Sequence, residues 1–104
     1  MTDAVIVATA RSPIGRASKG SLVDLRPDDM SAQIIKALMA KVPSVQAPDV
    51  EDLIMGCGQP AGEAGFNIGR IVAGLAGLGD VPGVTVNRYC SSSLQTIRMA
   101  AHAI

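Results

Sequence analysis

Three short runs with strand character, residues 4–8 (AVIVA), 53–55 (LIM) and the β-branched 84–86 (VTV), recur along the 104 residues, and a stretch of helical spacing follows each one. That alternation constrains the fold more than any other feature. Residues 4–8 have no polar face, so they suit a strand covered on both sides, as in a parallel sheet. Parallel neighbours need a crossover, and a helix usually supplies it. The order β-α-β-α-β-α therefore predicts an α/β layered fold with a largely parallel sheet.

The helical stretches carry their own boundaries. Pro27-Asp28-Asp29 reads as a helix start, because Pro fits the first turn and acids favour the positive end of the dipole. Ile34, Ile35, Leu38, Met39 and Val42 then form one apolar stripe, which Pro43 stops. Residues 56–65 form a glycine-rich loop. Asn67 is placed to cap a second helix bearing Ile68, Ile71, Val72 and Leu75. A third helix begins near Ser92 and carries Leu94, Ile97, Arg98 and Ala101. It runs to Ala103-Ile104 with no Gly, Asn or Pro stop, so the expectation is a domain that continues past residue 104.

Composition removes several functional classes. Hydrophobic residues make up 48%, enough for a real core, but aromatics make up only 2%. The core must then be aliphatic, and the stacking platforms of single-strand nucleic-acid binding are missing. Nine basic and nine acidic residues cancel, so no net field draws nucleic acid or an anionic membrane. No apolar run approaches the ~18 residues of a membrane span, and no signal peptide is visible. Two cysteines in such a chain read as thiols, and the expected location is cytoplasmic.

The chemistry centres on VTVNRYCSSSLQ, residues 84–95. A strand enters a short polar turn, and Cys90 sits where a helix begins. The positive helix end favours a thiolate there, and Ser91, Ser92 and Ser93 can cap the exposed amides. Backbone N–H groups in such a place can hold the oxyanion of acyl transfer. The residues thus suggest a cysteine nucleophile for acyl chemistry. Physical grounds alone lean toward a buried structural cysteine, since free Cys is among the most buried residue types.

Other signals are weaker. Cys57, within Gly56-Cys57-Gly58, reads as a small packed residue rather than a redox partner of Cys90. Cys57, Cys90 and His102 lack metal-ligand spacing, and no metal is expected. Gly56, Gly58 and Gly62 are one residue too widely spaced for the dinucleotide fingerprint, and no Walker A or G-x-S-x-G element occurs. His102 lies twelve residues beyond Cys90. On one helix that is about 18 Å along the axis, far beyond the roughly 3 Å a general base needs.

Residues 87–95, Asn-Arg-Tyr-Cys-Ser-Ser-Ser-Leu-Gln, resemble the thiolase nucleophile segment N-R-x-C-S-S-G-L-Q, with Ser93 in place of Gly. Residues 8–15 resemble the family's A-x-R-T-P-x-G opening, with Ser12 for Thr, and residues 65–70 resemble G-x-N-x-A-R, with Gly69 for Ala. The three matches come in the family's order. The resemblance implies part of the N-terminal half of a thiolase-like layered fold, with residues 1–104 as an incomplete N-terminal domain.

It also implies a role for Cys90 as the residue that takes an acyl group from a 3-ketoacyl-CoA, releases acetyl-CoA and passes the acyl to a second CoA. The reverse reaction is a Claisen condensation. Coenzyme A is then a substrate, and no cofactor is implied. By the same resemblance the activating His, a second Cys and an Asn-bound water lie downstream, and the intact protein is a homodimer or homotetramer. The N-R-x-C-S-S form leans toward the degradative thiolases of fatty-acid β-oxidation. The alternatives are a biosynthetic acetoacetyl-CoA thiolase and a non-catalytic thiolase-like scaffold or lipid-transfer protein. Arg11, Arg16 and Lys19 read as a solvated loop or a subunit contact before a CoA-phosphate site, and Arg70 as an ion-pair or interface residue. The Ser93 substitution would narrow the acyl pocket.

Overall fold

Pro27 opens the first helix, α1 (Pro27–Lys41), where its missing N–H is no loss. The computed structural model describes residues 2–104. The start of α1 is held by charge, with no side-chain cap from Arg26. The Arg26 guanidinium grips the buried Asp28 carboxylate with two bonds, at 3.1 and 2.9 Å. Asp28 in turn accepts the Asp29 N–H at 2.8 Å, which places negative charge at the positive end of the helix. Val42 closes the helix with a bond from its N–H to the Met39 carbonyl, and Pro43 prevents continuation.

Strands β1 (Leu53–Gly56) and β2 (Gly83–Val86) pair in parallel, from Leu53↔Gly83 to Gly56↔Val86. The crossover between them carries α2 (Ile68–Leu75), and β2 leads on to α3 (Ser92–Ala103). Helices α2 and α3 both pack on the sheet, and α1 packs on α2. Ile68 and Val72 of α2 are sealed from solvent, and Ala73 joins Leu78 and Val81 in a small core. Ile35, Ala47, Val50 and Leu53 close around that core. The α/β layered reading holds, with a parallel sheet and helices on it.

Helix α2 lies very close to β2. A Cβ on Gly69 would collide with the Val84 carbonyl oxygen, so the bare glycine backbone is what lets α2 sit this near the strand. Asn67 strengthens the seam as well as capping the helix. Its Oδ1 accepts the Arg70 N–H at 3.4 Å and the Thr85 hydroxyl at 2.7 Å, and its Nδ2 donates to the Gly83 carbonyl at 2.9 Å.

Two expectations need correction. Residues 4–8 form no strand and belong to no sheet, and Val5, Ile6 and Val7 are 71–76% exposed. The apolar run specifies burial without specifying which surface supplies it, and strand preference is realised only on a paired, packed surface. A bond from Lys41 Nζ to the Thr9 carbonyl, 2.7 Å, links this segment to the end of α1. The second concerns α3, where the residues picked out along the helix, Leu94 and Ile97 among them, do not form its packed face. Leu94 and Ile97 point outward, while Ser92 and Thr96 are buried. Small hydroxyl residues allow the closer approach, and each satisfies its oxygen locally: Thr96 donates to the Ser93 carbonyl at 2.7 Å. Among the described residues no helix is long and apolar enough to cross a membrane.

Candidate functional site

The site is built on the passage from β2 into α3. Asn87 follows the last strand residue, and its Oδ1 accepts the Tyr89 N–H at 2.8 Å, closing an Asx turn. Tyr89 takes a φ of 48°, in the left-handed region that costs a non-glycine residue roughly 1 kcal/mol or more. A single 3₁₀ turn, Tyr89–Ser91, then carries the chain into α3. Cys90 lies in the middle of that turn as an exposed free thiol.

The expected serine caps take a different form. Ser91 occupies the cap position of α3 but caps no amide with its hydroxyl. Ser92, only 4% exposed, works backward along the chain instead. Its Oγ accepts the Arg88 N–H at 2.9 Å and donates to the Tyr89 carbonyl at 2.7 Å. One buried oxygen therefore ties both main-chain groups that flank the left-handed turn. Arg88 extends along α3 and donates to Gln95 Oε1 at 2.8 Å.

The C-terminal end of β1 forms the floor. A Cβ on Gly56 would stand 2.7 Å from both the Ser92 carbonyl carbon and the Ser93 nitrogen. The next loop runs on against the turn, since a Cβ on Gly58 would meet the Tyr89 carbonyl oxygen at 2.9 Å. The missing side chains of Gly56 and Gly58 are thus what allows the cysteine turn to settle on the sheet end. Cys57 between them is half-buried, its Sγ 3.8 Å from the Ala64 carbonyl it donates to, as a packed residue would be.

The remaining candidates separate from this turn. His102 lies in the last turn of α3, while Cys90 precedes its first residue. Arg70 makes no ion pair among the described residues; it donates to the Gly79 carbonyl at 2.7 Å and braces the turn after α2. Arg11, Arg16 and Lys19 are exposed. Among the described residues no group of three or more His, Cys, Asp or Glu is placed to hold a metal ion.

Sequence reasoning found Cys90 and its strand-to-helix position but missed three supports. The left-handed Tyr89 had no glycine to announce it. The Asn87 turn is legible in hindsight, because Asn two residues before a turn amide is an Asx signal. The inward face of Ser92 could not be told from that of Ser91 or Ser93 in a run of three serines.

The model of the thiolase N-terminal domain matches residues 4–104. Across its whole length the chain is 48% identical to a 3-ketoacyl-CoA thiolase of Bacillus subtilis and covers 27% of that protein. It is 45% identical to a 3-ketoacyl-CoA thiolase of Shewanella frigidimarina, again covering 27%. Identity is 50% with a beta-ketoadipyl-CoA thiolase of Acinetobacter baylyi, of which it covers 26%. The chain spans about a quarter of the length of these curated relatives. With a parallel α/β layer, a free cysteine at the mouth of α3 and a family match over nearly every residue, the chain belongs to the thiolase family, in the region of its N-terminal domain.

Proposed function

We propose that the protein transfers acyl groups between a 3-ketoacyl-CoA and CoA, with Cys90 as the residue that carries the acyl. The supporting observation is the exposed thiol of Cys90, set on a tightly tied turn at a strand-to-helix junction within the matched region. In the cleavage direction the Cys90 sulfur attacks the 3-keto carbon and its proton passes to a base. The C2–C3 bond breaks, the departing carbanion of acetyl-CoA takes a proton, and a thioester remains on Cys90. The thiol of a second CoA then attacks that thioester, gives up its proton and leaves as acyl-CoA, restoring the cysteine. His102 lies ten residues along α3 from its first residue Ser92, about 15 Å from the cysteine turn, so the base comes from elsewhere in the intact protein. The intact protein is proposed to act as a homo-oligomer in the cytoplasm.

The degradative direction is favoured by the relatives named 3-ketoacyl-CoA thiolase. The relative named beta-ketoadipyl-CoA thiolase, at 50% identity, supports a second substrate reading, a 3-keto acyl chain that ends in a carboxylate. One experiment tests the reaction and separates the substrates. The intact protein is mixed with either 3-ketoacyl-CoA type, quenched and digested. An acyl mass on the peptide bearing Cys90 is the expected result, and the substrate that gives the faster adduct identifies the class. An acyl group on any other residue overturns the role of Cys90, and none with either substrate overturns the proposal and leaves the non-catalytic scaffold.

A further inference from the structure

Cys90 is exposed and sits on a turn that is costly to form, so something must hold the turn in one conformation. Tyr89, immediately before it, has a φ of 48° and a side chain 76% exposed. The side chain therefore contributes little packing to offset its backbone cost. The offset comes from two polar neighbours. Asn87 Oδ1 accepts the Tyr89 N–H at 2.8 Å, and the Ser92 hydroxyl donates to the Tyr89 carbonyl at 2.7 Å. Both main-chain groups of the left-handed residue are thus bound to side chains, one on each side of Cys90. Ser92 is itself pinned, since it accepts the Arg88 N–H and the bare backbone of Gly56 lies against it.

We propose that Asn87 and Ser92 are the positioning residues of Cys90, a two-point clamp on Tyr89 that sets the direction in which the Cys90 Cα–Cβ bond leaves the turn. Neither side chain need touch substrate. They act through the cysteine, by keeping its sulfur in line with an approaching carbonyl. The proposal rests on the acyl-transfer reading for its meaning in catalysis, but the clamp itself is a property of the thiol and can be measured without turnover.

The test uses the intact protein and the variants Ser92→Ala, Ser92→Thr, Asn87→Ala and Cys90→Ala. Two readouts are taken on the folded fraction of each: the rate at which iodoacetamide alkylates Cys90 across pH, followed by peptide mass, and kcat and KM for thiolysis of a 3-ketoacyl-CoA. Losing alignment at a reacting centre costs about tenfold to a hundredfold in rate. Ser92→Ala is expected to lower kcat by that factor with KM within about twofold and to change the pH profile of Cys90 alkylation, while Ser92→Thr restores much of the rate. Asn87 is exposed, so Asn87→Ala is the variant that keeps the fold should Ser92→Ala not accumulate, and a change in the same direction is expected.

Unchanged kcat and alkylation profile in Asn87→Ala, and in Ser92→Ala where it folds, would overturn the clamp. If the wild type and Cys90→Ala turn over alike, the acyl-transfer reading fails instead. The alkylation arm then still decides whether the two residues govern the thiol.

Discussion

A Cβ on Gly56, at the end of β1, would lie 2.7 Å from the carbonyl carbon of Ser92, the first residue of α3. The sheet end and the start of the helix therefore meet backbone to backbone, directly beneath the cysteine turn. Gly56→Ala must push α3 outward, because main-chain atoms rather than a flexible side-chain tip stand in the way. The expected loss is about 1–3 kcal/mol of stability, the usual cost of overpacking, read as a lower denaturant midpoint with unchanged slope. A midpoint equal to wild type would show that α3 is not seated on β1.

The two thiols differ in access. Cys90 is exposed, while Cys57 is half-buried and directed at the Ala64 carbonyl. Under limiting iodoacetamide the first adduct is expected on Cys90, with Cys57 following only after denaturant is added. Peptide mass mapping reads the order directly, and early labelling of Cys57 would contradict this geometry.

Acid sensitivity should arise at the start of α1. The hydrogen bond from the Arg26 guanidinium is the main reason the Asp28 carboxyl sits below the ordinary aspartate value; burial opposes it, and the Asp29 N–H adds to it. A carboxyl whose folded pKa is depressed contributes stability that is fully present above its unfolded value and lost as pH falls through the folded one. The loss should thus begin as pH drops below about 4 and continue beneath it. Asp28→Asn is expected to flatten that acid limb, and added salt to weaken it, since Arg26 is half exposed. Thermal melts from pH 7 to pH 2 check both, and an identical acid limb in Asp28→Asn would assign the sensitivity elsewhere.

His102 should be dispensable to the thiol. It lies at the far end of α3 from Cys90. His102→Gln is expected to leave Cys90 alkylation and thiolysis by the intact protein within about twofold of wild type, and residues 1–104 by themselves should show no CoA-dependent thiolysis. Turnover by residues 1–104 would place the base inside this region, and a large loss in His102→Gln would make that histidine the first residue to examine.

Local rules carried much of this protein. Pro27 and Pro43 bracket α1, Asn67 starts α2, and the β-branched residues at 84–86 lie in β2, because caps, proline geometry and strand preference act over a few residues and are written in them. The motif around Cys90 placed it at a strand-to-helix turn, and the turn is there.

What tertiary structure decided is which surfaces meet. Residues 4–8 have the pattern of a buried strand, yet a strand is stabilised by its neighbours, and none of the described ladders reaches them. Three consecutive serines are equivalent as text; the close approach of Gly56 turns Ser92 inward, leaving Ser91 and Ser93 exposed. Leu94 and Ile97 make the obvious apolar stripe of α3, but the close seat on β1 admits only the smaller Ser92 and Thr96. Helix starts and the place of Cys90 at a strand-to-helix turn follow from neighbours in sequence. Where that turn settles follows from backbones, Gly56 against Ser92 and Gly58 against Tyr89, that the fold brings together.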